Sequence, residues 1–397
     1  MIGFVLPLQL LTGKSYRTVR ERIARRFSDF EVVSLPDKVF DTAEQETALL
    51  IAHGQRKATL PARVLYRKVD DGAWPGFRDY HVVSSESVGT IAPEEAIINL
   101  GVVELQNVWT HLASLPRLSD VADEIHRGIE WNIPLKENRQ LLISDKEQPG
   151  FRKGIPSAPK GAFFAYQCPP VKYLNVQPQY QLYKAFDLAW ELPKVVMSAK
   201  RKSRSPWRIA AFGDADKLVC YQTFTCIWPT DGWAVSIIAA ILNSPVANAY
   251  VASHEGNRDI TNEIIAEIPV PLLSQKTIRF IESRVATYSE AVDSGGLFGR
   301  KHAGDPAEIL REIDAAVVRA YGLPQTLEIE LLDYFQGSVI ERPVSVALNT
   351  YSHSELDQTY ASIKHALEPP GVGPTESWDY LQQKLDEDRL SSRKLFP

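Results

Sequence analysis

The sequence has few cysteines and no long apolar run. Three cysteines occur among 397 residues, at positions 168, 220 and 226, with no Cys-x-x-Cys pair and no histidines at ligand spacing. We therefore expect no disulfide framework and no metal, and such cysteine usage is typical of the reducing cytoplasm. The apolar start lacks the basic region and the cleavage site of a signal peptide. The next apolar run, Trp233 to Leu242, is far below the roughly 20 residues that span a bilayer, so we expect no membrane segment.

The chain also lacks the motifs of a self-contained active site. No glycine-rich loop follows a strand, because AFGDAD (211–216) holds one glycine and GVGP (371–374) lies in a polar tail. There is no HExxH motif, no nucleophile elbow and no paired-carboxylate motif. The net charge of −5 does not favour nucleic-acid binding, so that function would require a local basic patch.

The first hundred residues have the pattern of the end of an α/β sheet. Residues 2–6 (IGFVL) form an apolar run that is typical of a strand buried on both faces. A helix with an apolar face and an arginine-rich face follows Ser15. Strands are then expected at 31–35, 47–52, 62–68 and 80–84. Because exposing the first strand would cost several kcal/mol at ~25 cal/mol per Å², we expect another polypeptide, or an earlier part of a longer gene, to complete the sheet.

The composition and the predicted secondary structure change several times along the rest of the chain. Residues 101–116 are expected to form a helical connector, and 117–275 an irregular, β-rich domain with Pro and Gly punctuation. A helical region follows over 276–345, and 346–397 is a polar tail. Within the helical region, Asp305 and Pro306 predict a helix start, and Gly322 predicts its end.

One segment is strongly basic. Between Lys194 and Arg208 there is no acid, and the cations are Lys194, Lys200, Arg201, Lys202, Arg204 and Arg208. Strand-like runs at 195–197 and 209–212 predict a hairpin whose tip carries four of these cations, which suits a phosphate backbone. We predict that all six cations contact DNA. Ser203, Ser205 and Trp207 are predicted to reach base edges or to stack on bases. The alternative is a solvated loop.

A second candidate lies at 253–271. Here Arg258, Thr261 and Asn262 precede a short helix that ends before Pro269, and we predict that these three residues also contact DNA. The alternative is a solvated helix start.

Five segments of the sequence, taken in order along the chain, resemble one protein family. They are IGFVLPLQLL…YRTVRERI, VSLPDKVFDTAEQETALLIA, RLSDVADEIHRGIEWN, LPKVVMSAKRKSRSPWRIAAFGDADKLVC…IIAAILNSPVANAYV…EIIAEIPVPLL and EILREIDAAVVRAYGLPQTLEIELLDYF. This ordered set is similar to the DNA adenine-N6 methyltransferases of restriction–modification systems, in their gamma-class and fused restriction–methylation forms. The resemblance covers most of residues 1–345.

The resemblance implies an incomplete α/β fold. Residues 1–100 would be the end of a Rossmann-like methyltransferase sheet, 117–275 a target recognition domain that binds double-stranded DNA, and 276–345 a helical extension. The family's S-adenosylmethionine motif is missing, and so is its Asn/Asp-Pro-Pro-aromatic motif, because the Pro-Pro pairs lie in CPPV (168–171) and EPPG (368–371). A partner chain would then supply the catalytic motifs, and the cofactor would bind mainly outside this chain.

The resemblance also gives a role to Phe40, the one large ring in the polar loop between the second and third strands. In the family an aromatic of this loop stacks on a flipped adenine, and such stacking is worth about 1–3 kcal/mol per base. The alternative is that Phe40 plugs the sheet edge. Three hypotheses follow: the recognition half of an adenine-N6 methyltransferase, a non-catalytic DNA specificity subunit, or a degenerate remnant that binds only a partner.

Overall fold

The structure is a computed structural model. It describes residues 1–12, 16–35, 39–40, 47–57, 60, 62–69, 74–78, 85–91, 105–157, 165–182, 184–202, 206–254, 258–293 and 305–335. The chain divides into two compact units, 1–344 and 345–397, and the residues described below all lie in the first.

The described N-terminal residues form a five-stranded sheet. Its strands are β1 (Ile2–Pro7), β2 (Asp29–Ser34), β3 (Thr47–His53), β4 (Ala62–Lys68) and β5 (Ser85–Ile91). They lie in the order β1-β3-β2-β4-β5, with β2 and β4 parallel and the other neighbours antiparallel. The predicted strands at 31–35, 47–52 and 62–68 are confirmed. The strand predicted at 80–84 lies outside the described residues, and β5 is described from Ser85 onwards.

β1 is an edge strand whose side chains are mostly exposed, so the prediction of a first strand buried on both faces is wrong for the described chain. β3 is its neighbour in the sheet, and no other described strand pairs with it. The side chains of Phe4 and Val5, which as neighbours on a strand point to opposite faces of the sheet, are 49% and 56% exposed. An apolar strand with an unpaired edge is a ready template for pairing with another chain.

Three short helices accompany this sheet. They are α1 (Gln9–Thr12), α2 (Arg17–Ala24) and α3 (Trp74–Arg78). α2 packs through Ala24 and Ile23 onto the sheet, whereas Val19 is exposed. One arginine of the predicted arginine-rich face, Arg20, is buried and donates from Nη1 to the carbonyl of Leu10 at 3.0 Å, and burial lowers the pKa of its guanidinium.

Eight further strands are described between residues 105 and 230. They are β6 (Ala122–Arg127), β7 (Ile143–Ser144), β8 (Phe151–Ile155), β9 (Lys172–Asn175), β10 (Lys194–Ser198), β11 (Ala211–Asp214), β12 (Val219–Cys220) and β13 (Phe224–Pro229). Four of them form the central sheet, in the order β11-β10-β13-β6 and antiparallel throughout. The other four form the small sheet, in the order β12-β8-β9-β7.

Eight further helices are described after residue 105, and most of them follow β13 in the chain. They are α4 (Gln106–His111), α5 (Leu135–Leu142), α6 (Val235–Asn243), α7 (Pro245–His254), α8 (Asn262–Ala266), α9 (Gln275–Asp293), α10 (Pro306–Ala320) and α11 (Gln325–Asp333). Short 3-10 helices lie at Leu112–Ser114, Leu118–Asp120, Pro178–Tyr180 and Lys184–Asp187. No single described helix has the length and apolarity to cross a membrane, although α6 and α7 together pass that test across a 59° bend.

The predicted ends of α10 are confirmed. Asp305 is its N-cap, with Oδ1 accepting from the N–H of Ala307 at 3.0 Å, and Pro306 is the first helical residue. Gly322 follows the helix with a φ of 64°, a left-handed conformation that glycine adopts without strain. The buried face carries Ile309, Ile313 and Val317, at the helical spacing that the sequence shows.

The two middle strands of the central sheet, β10 and β13, are buried on both faces. Val195 and Met197 of β10 pack into a cluster that includes α6, α7 and α10. Val196, which points the other way, packs with Leu174 of the small sheet and with Trp190. Because side chains alternate along a strand, a run such as KVVMS can be buried at every position only when both faces are covered.

A buried ion pair closes the start of the hairpin formed by β10 and β11. Nζ of Lys194 lies 2.5 Å from Oδ2 of Asp214, both side chains are fully buried, and the ammonium lies 5.3 Å from the ring centroid of Trp190. Asp214 also accepts the N–H groups of Asp216 and Leu218 at 2.8 and 2.9 Å. The prediction that Lys194 contacts DNA is therefore wrong, because its charge is neutralised in the core.

Asp214→Ala should destabilise the protein by about 3–5 kcal/mol, because it leaves the Lys194 ammonium buried without a counter-charge. The measurement is the free energy of unfolding in urea. The double variant Lys194→Met with Asp214→Leu should lose less, since it removes both charges. As a control, Arg152→Ala breaks the surface pair with Glu191 (2.8 Å) and should cost only about 0–1 kcal/mol. An equal loss in Asp214→Ala and Arg152→Ala would contradict this account.

Candidate nucleic-acid interface

The predicted basic hairpin is present. β10 and β11 pair antiparallel up to Met197 and Ala211, and the N–H of Ser198 donates to the carbonyl of Ala210 at 3.0 Å. The N–H of Lys202 donates to the carbonyl of Arg208 at 2.8 Å, which closes the tip. Ser203, Arg204 and Ser205, three of the predicted DNA contacts, lie outside the described residues.

The two basic segments predicted separately from the sequence lie side by side. The N–H of Ile260 donates to the carbonyl of Ala199, and the N–H of Arg201 donates to the carbonyl of Arg258, both at 2.9 Å. Lys200 and Asp259 form an isolated antiparallel bridge between these hydrogen bonds. The segment 258–260 thus continues, beside the extension of β10, the side that β13 occupies, while the returning chain stays paired on the other side, and it joins the two groups of cations in one surface.

This surface, called the cationic surface below, is made of Lys200, Arg201, Lys202 and Arg258. Arg258 is exposed and the other three are partly exposed. Desolvation by burial lowers the pKa of Lys202 to about 8, so its positive charge weakens as the pH rises through that value. The exposed carboxylate of Asp259 is the one acid within these two described segments. The remaining charge is positive, in a chain whose net charge is −5.

Two other predicted contacts belong to the core. Trp207 is fully buried, with its ring centroid 4.5 Å from that of Phe335, so it offers no face to a base. Arg208 is buried as well. Both predictions are corrected for one reason: after the tip, the chain returns into the core at these two residues to form β11, and the described cations of the basic segment that face solvent are Lys200, Arg201 and Lys202.

Two buried asparagines determine this return. Oδ1 of Asn248 accepts the N–H groups of Arg208 and Ile209, both at 2.9 Å. Asn243 binds both backbone groups of Ala211, accepting its N–H at 2.9 Å and donating to its carbonyl at 2.8 Å. We call Asn243 and Asn248 the asparagine clamp. It was not predicted from the sequence, although two amides in the apolar stretch IIAAILNSPVANAYV were a visible signal.

The second basic segment is also tied to β6. Nη2 of Arg127 donates to the carbonyl of Ile260 at 3.1 Å, and Nδ2 of Asn262 donates to the carbonyl of Ile125 at 3.3 Å. Thr261 is the N-cap residue of α8 and makes no side-chain capping bond. Thr261 and Asn262 are partly exposed, but Oδ1 of Asn262 is itself buried and makes no hydrogen bond within the described residues. The role of Arg127 was not predicted from the sequence.

Phe40 lies in the N-terminal sheet region and is 42% exposed. Its neighbour Val39, and not Phe40, packs against the small cluster of Val33, Leu35 and Val69. The chain reaches Phe40 from the C-terminal end of β2, where the ends of β1 and β4 also lie, since Ser34 is paired with Lys68 and Thr47 with Pro7. This exposure favours a ring available to a ligand over a ring that plugs the sheet. The flanking residues 36–38 and 41–46 lie outside the described residues.

The cysteines and acids do not assemble around a metal in the described parts of the chain. No group of three or more His, Cys, Asp or Glu side chains there could hold a metal ion. Cys168, Cys220 and Cys226 are free thiols, and burial raises the pKa of the Cys220 thiol well above its usual value.

Comparison with protein-family profiles returns no match, and neither does comparison with curated proteins. Among solved structures, the chain is similar to MmeI, a Type IIL restriction-modification enzyme in complex with DNA, with 10% identity and a TM-score of 0.48 over 84% of this chain and 49% of that chain. A nuclease-deletion mutant of LlaGI, a Type ISP restriction-modification enzyme in complex with a DNA substrate mimic, has 12% identity and a TM-score of 0.44 over 72% and 29%.

The HsdS subunit from Thermoanaerobacter tengcongensis has 14% identity and a TM-score of 0.24 over 56% of this chain and 51% of that chain. The chain thus spans about half the length of MmeI and HsdS and under a third of LlaGI. These similarities are too low to argue for a shared function by themselves.

Asn248→Ala should destabilise the protein by about 2–4 kcal/mol, because it leaves the buried N–H groups of Arg208 and Ile209 without an acceptor. Hydrogen exchange at those two amides should accelerate more than at the β10 amides. The control is Asn132→Ala, which removes an exposed bond from Nδ2 to the carbonyl of Gln179 (2.8 Å) and should change stability little. Unchanged exchange at Arg208 and Ile209 would show that the clamp does not hold the hairpin.

Proposed function

We propose that this chain is the DNA-recognition half of a site-specific DNA adenine-N6 methyltransferase of a restriction–modification or phage-defence system. It binds duplex DNA and helps to hold a flipped adenine, while a partner chain supplies the cofactor and catalytic motifs. The observation that carries the proposal is the pairing of 199–202 with 258–260, which gathers four cations from two distant parts of the chain into one surface.

The chemistry of the cationic surface suits a phosphate backbone. Arginine and lysine are the common phosphate ligands, and neutralising a phosphate releases condensed counterions. The surface rests on a rigid base, since the clamp fixes the hairpin return and Arg127 fixes the backbone at Ile260. Thr261 and Asn262 adjoin it and are proposed to reach sugar or base edges.

The adenine role rests on Phe40 and on the resemblance of its loop to that of the adenine-N6 methyltransferases. An enzyme that modifies a base takes it out of the stack, and flat side chains then hold it. The exposed ring of Phe40 follows the C-terminal end of β2, and ligands of open α/β sheets bind at the carboxyl ends of strands.

S-adenosylmethionine does not fit the described residues at the end of β1. β1 leads directly into α1, where Leu11 is fully buried against the sheet, and not into a glycine-containing loop with free backbone N–H groups. We propose that the cofactor binds mainly on the partner chain. The open edge of β1, with Phe4 and Val5 exposed, is the surface proposed for that partner.

One observation favours the alternative of a non-catalytic specificity subunit, namely the poor fit to the cofactor. Phe40 separates the two functions, because a subunit that only guides another enzyme has no use for an adenine-stacking ring. Both functions require the cationic surface.

Combining Lys200→Ala, Arg201→Ala and Arg258→Ala should weaken binding to duplex DNA at every sequence. The slope of log K against log salt concentration should become shallower by about 0.9 for each phosphate that the variant no longer neutralises. Binding is measured by fluorescence anisotropy of a labelled duplex over a salt series.

The matched control removes three exposed cations elsewhere, through Lys136→Ala, Arg139→Ala and Lys146→Ala. It changes the net charge equally but should leave the salt slope unchanged. Equal slopes for both triple variants would remove the cationic surface from the DNA interface.

Phe40→Ala should lower kcat/KM for adenine methylation about 5- to 150-fold, corresponding to about 1–3 kcal/mol of lost stacking, with DNA affinity little changed. The assay combines this chain with the partner that carries the methyltransferase motifs, and it follows transfer of a labelled methyl group. Fluorescence of 2-aminopurine at the target position reports the flipped base.

Phe280→Ala is the control, because Phe280 is similarly exposed (41%) and lies on α9. If Phe40→Ala and Phe280→Ala behave alike, the chain is a specificity subunit. Methyl transfer by the isolated chain would overturn the proposal of a partner.

A further inference from the structure

A tight turn between β12 and β13 adjoins the cationic surface. The N–H of Ala199 donates to the carbonyl of Thr223 at 2.9 Å, so this turn is the direct neighbour of the residue that precedes Lys200. The turn itself is held by the N–H of Phe224, which donates to the carbonyl of Tyr221 at 2.9 Å. Neither the hairpin nor the second basic segment includes this turn.

The turn is rigid on its other side too. The N–H of Gln222 donates to the carbonyl of Ile129 at 2.9 Å, and that of Tyr221 to Ile155 at 3.0 Å. The ring of Tyr221 stacks on Trp131 with centroids 5.0 Å apart. A Cβ at Gly128 would collide with the carbonyl oxygens of Cys220 and Tyr221, so glycine permits this close approach of the 128–130 segment.

The side chain of Gln222 is oriented by this framework. Its Nε2 donates to Oε1 of Glu130 at 2.9 Å and to the hydroxyl of Tyr221 at 3.0 Å, which engages both amide hydrogens. An ionised carboxylate only accepts hydrogen bonds, so the amide nitrogen must face Glu130 and the amide oxygen must face away. Gln222 is partly exposed, and its Oε1 makes no hydrogen bond within the described residues.

We infer that Gln222 is a base-reading residue whose Oε1 accepts a hydrogen bond from the exocyclic amino group of an adenine or cytosine in the major groove. The inference rests on the proposed DNA-binding function. A side chain whose donors are both occupied cannot bind a phosphate oxygen, which itself only accepts. Along the major groove, guanine presents acceptors and thymine presents O4 and a methyl group, whereas adenine N6 and cytosine N4 are donors.

Glu130 acts through Gln222 and is a positioning residue. Its carboxylate excludes the flipped amide, in which Gln222 would present Nε2 and bind an acceptor such as guanine O6. The cations therefore bind the phosphate backbone of any duplex, whereas the oriented amide of Gln222 discriminates between bases at one base pair.

The test selects bound duplexes from a randomised library with the full chain and reads the base preference at each position. Gln222→Leu keeps the shape of the side chain but removes the acceptor. It should abolish the preference for adenine or cytosine at one position, about a 3- to 10-fold discrimination, and leave affinity for random DNA and the salt slope unchanged. Thermal unfolding checks that this variant is folded.

Glu130→Gln tests the orienting role of Glu130, because a purely structural role of this residue would not change which bases are preferred. The new amide accepts either orientation of Gln222, so the position should broaden to include guanine or thymine and should not simply lose affinity. In the wild-type protein, replacing the preferred adenine by purine, which lacks the amino group, should weaken binding as much as Gln222→Leu does. Combining both changes should cost no more than either alone.

The outcomes separate this inference from the proposed function. If the wild-type chain binds no duplex, both fall. If it binds with a sequence preference that Gln222→Leu and Glu130→Gln leave unchanged, the base-reading role is overturned and DNA recognition stands. A loss of affinity that is uniform over all sequences in Gln222→Leu would likewise overturn base reading.

Discussion

The asparagine clamp is the interaction on which the architecture of the DNA-facing side depends. An amide buried between apolar helices must find partners or lose about 1–3 kcal/mol for each unsatisfied group. Asn243 and Asn248 find them in the backbone from Arg208 to Ala211, where the hairpin returns beside β10 and leads into β11. The clamp thereby fixes the end of the basic segment, from Trp207 onwards, in the core. Residues 200–202 emerge, and Trp207 becomes part of the core.

The same hairpin marks the limit of prediction from sequence. The two strands, the basic tip and the caps of α10 were predictable because they depend on neighbours within a few positions. Whether each cation is exposed or buried was not predictable, since it depends on residues that are distant in the sequence. Lys194 is neutralised by Asp214, and Arg208 is placed by Asn248. A run of like charges therefore predicted a surface correctly in outline and misassigned its ends.

The N-terminal sheet shows a related limit. The apolar run of β1 indicated a strand that requires cover on both faces, but hydrophobicity does not say which polypeptide provides that cover. In the described structure, Phe4 and Val5 are exposed at an open sheet edge, and Phe40 is exposed beyond the end of β2. The sequence shows that Phe40 is unusual for its polar loop, but it does not show whether the ring is buried or exposed. The exposure of Phe40 in the structure favours a ring that is available to a ligand.

Affinity and discrimination draw on different groups of the same end of the central sheet. The net charge of −5 opposes long-range attraction to DNA, so association depends on charges within about one Debye length, roughly 8 Å at physiological salt. That makes indiscriminate binding weak. Discrimination by Gln222 depends instead on backbone hydrogen bonds and on the carboxylate of Glu130, which are built into the fold. Weak sequence-independent binding by the cations, combined with a rigidly held Gln222, favours selectivity. A duplex that lacks the preferred base gains little binding free energy from the cations alone.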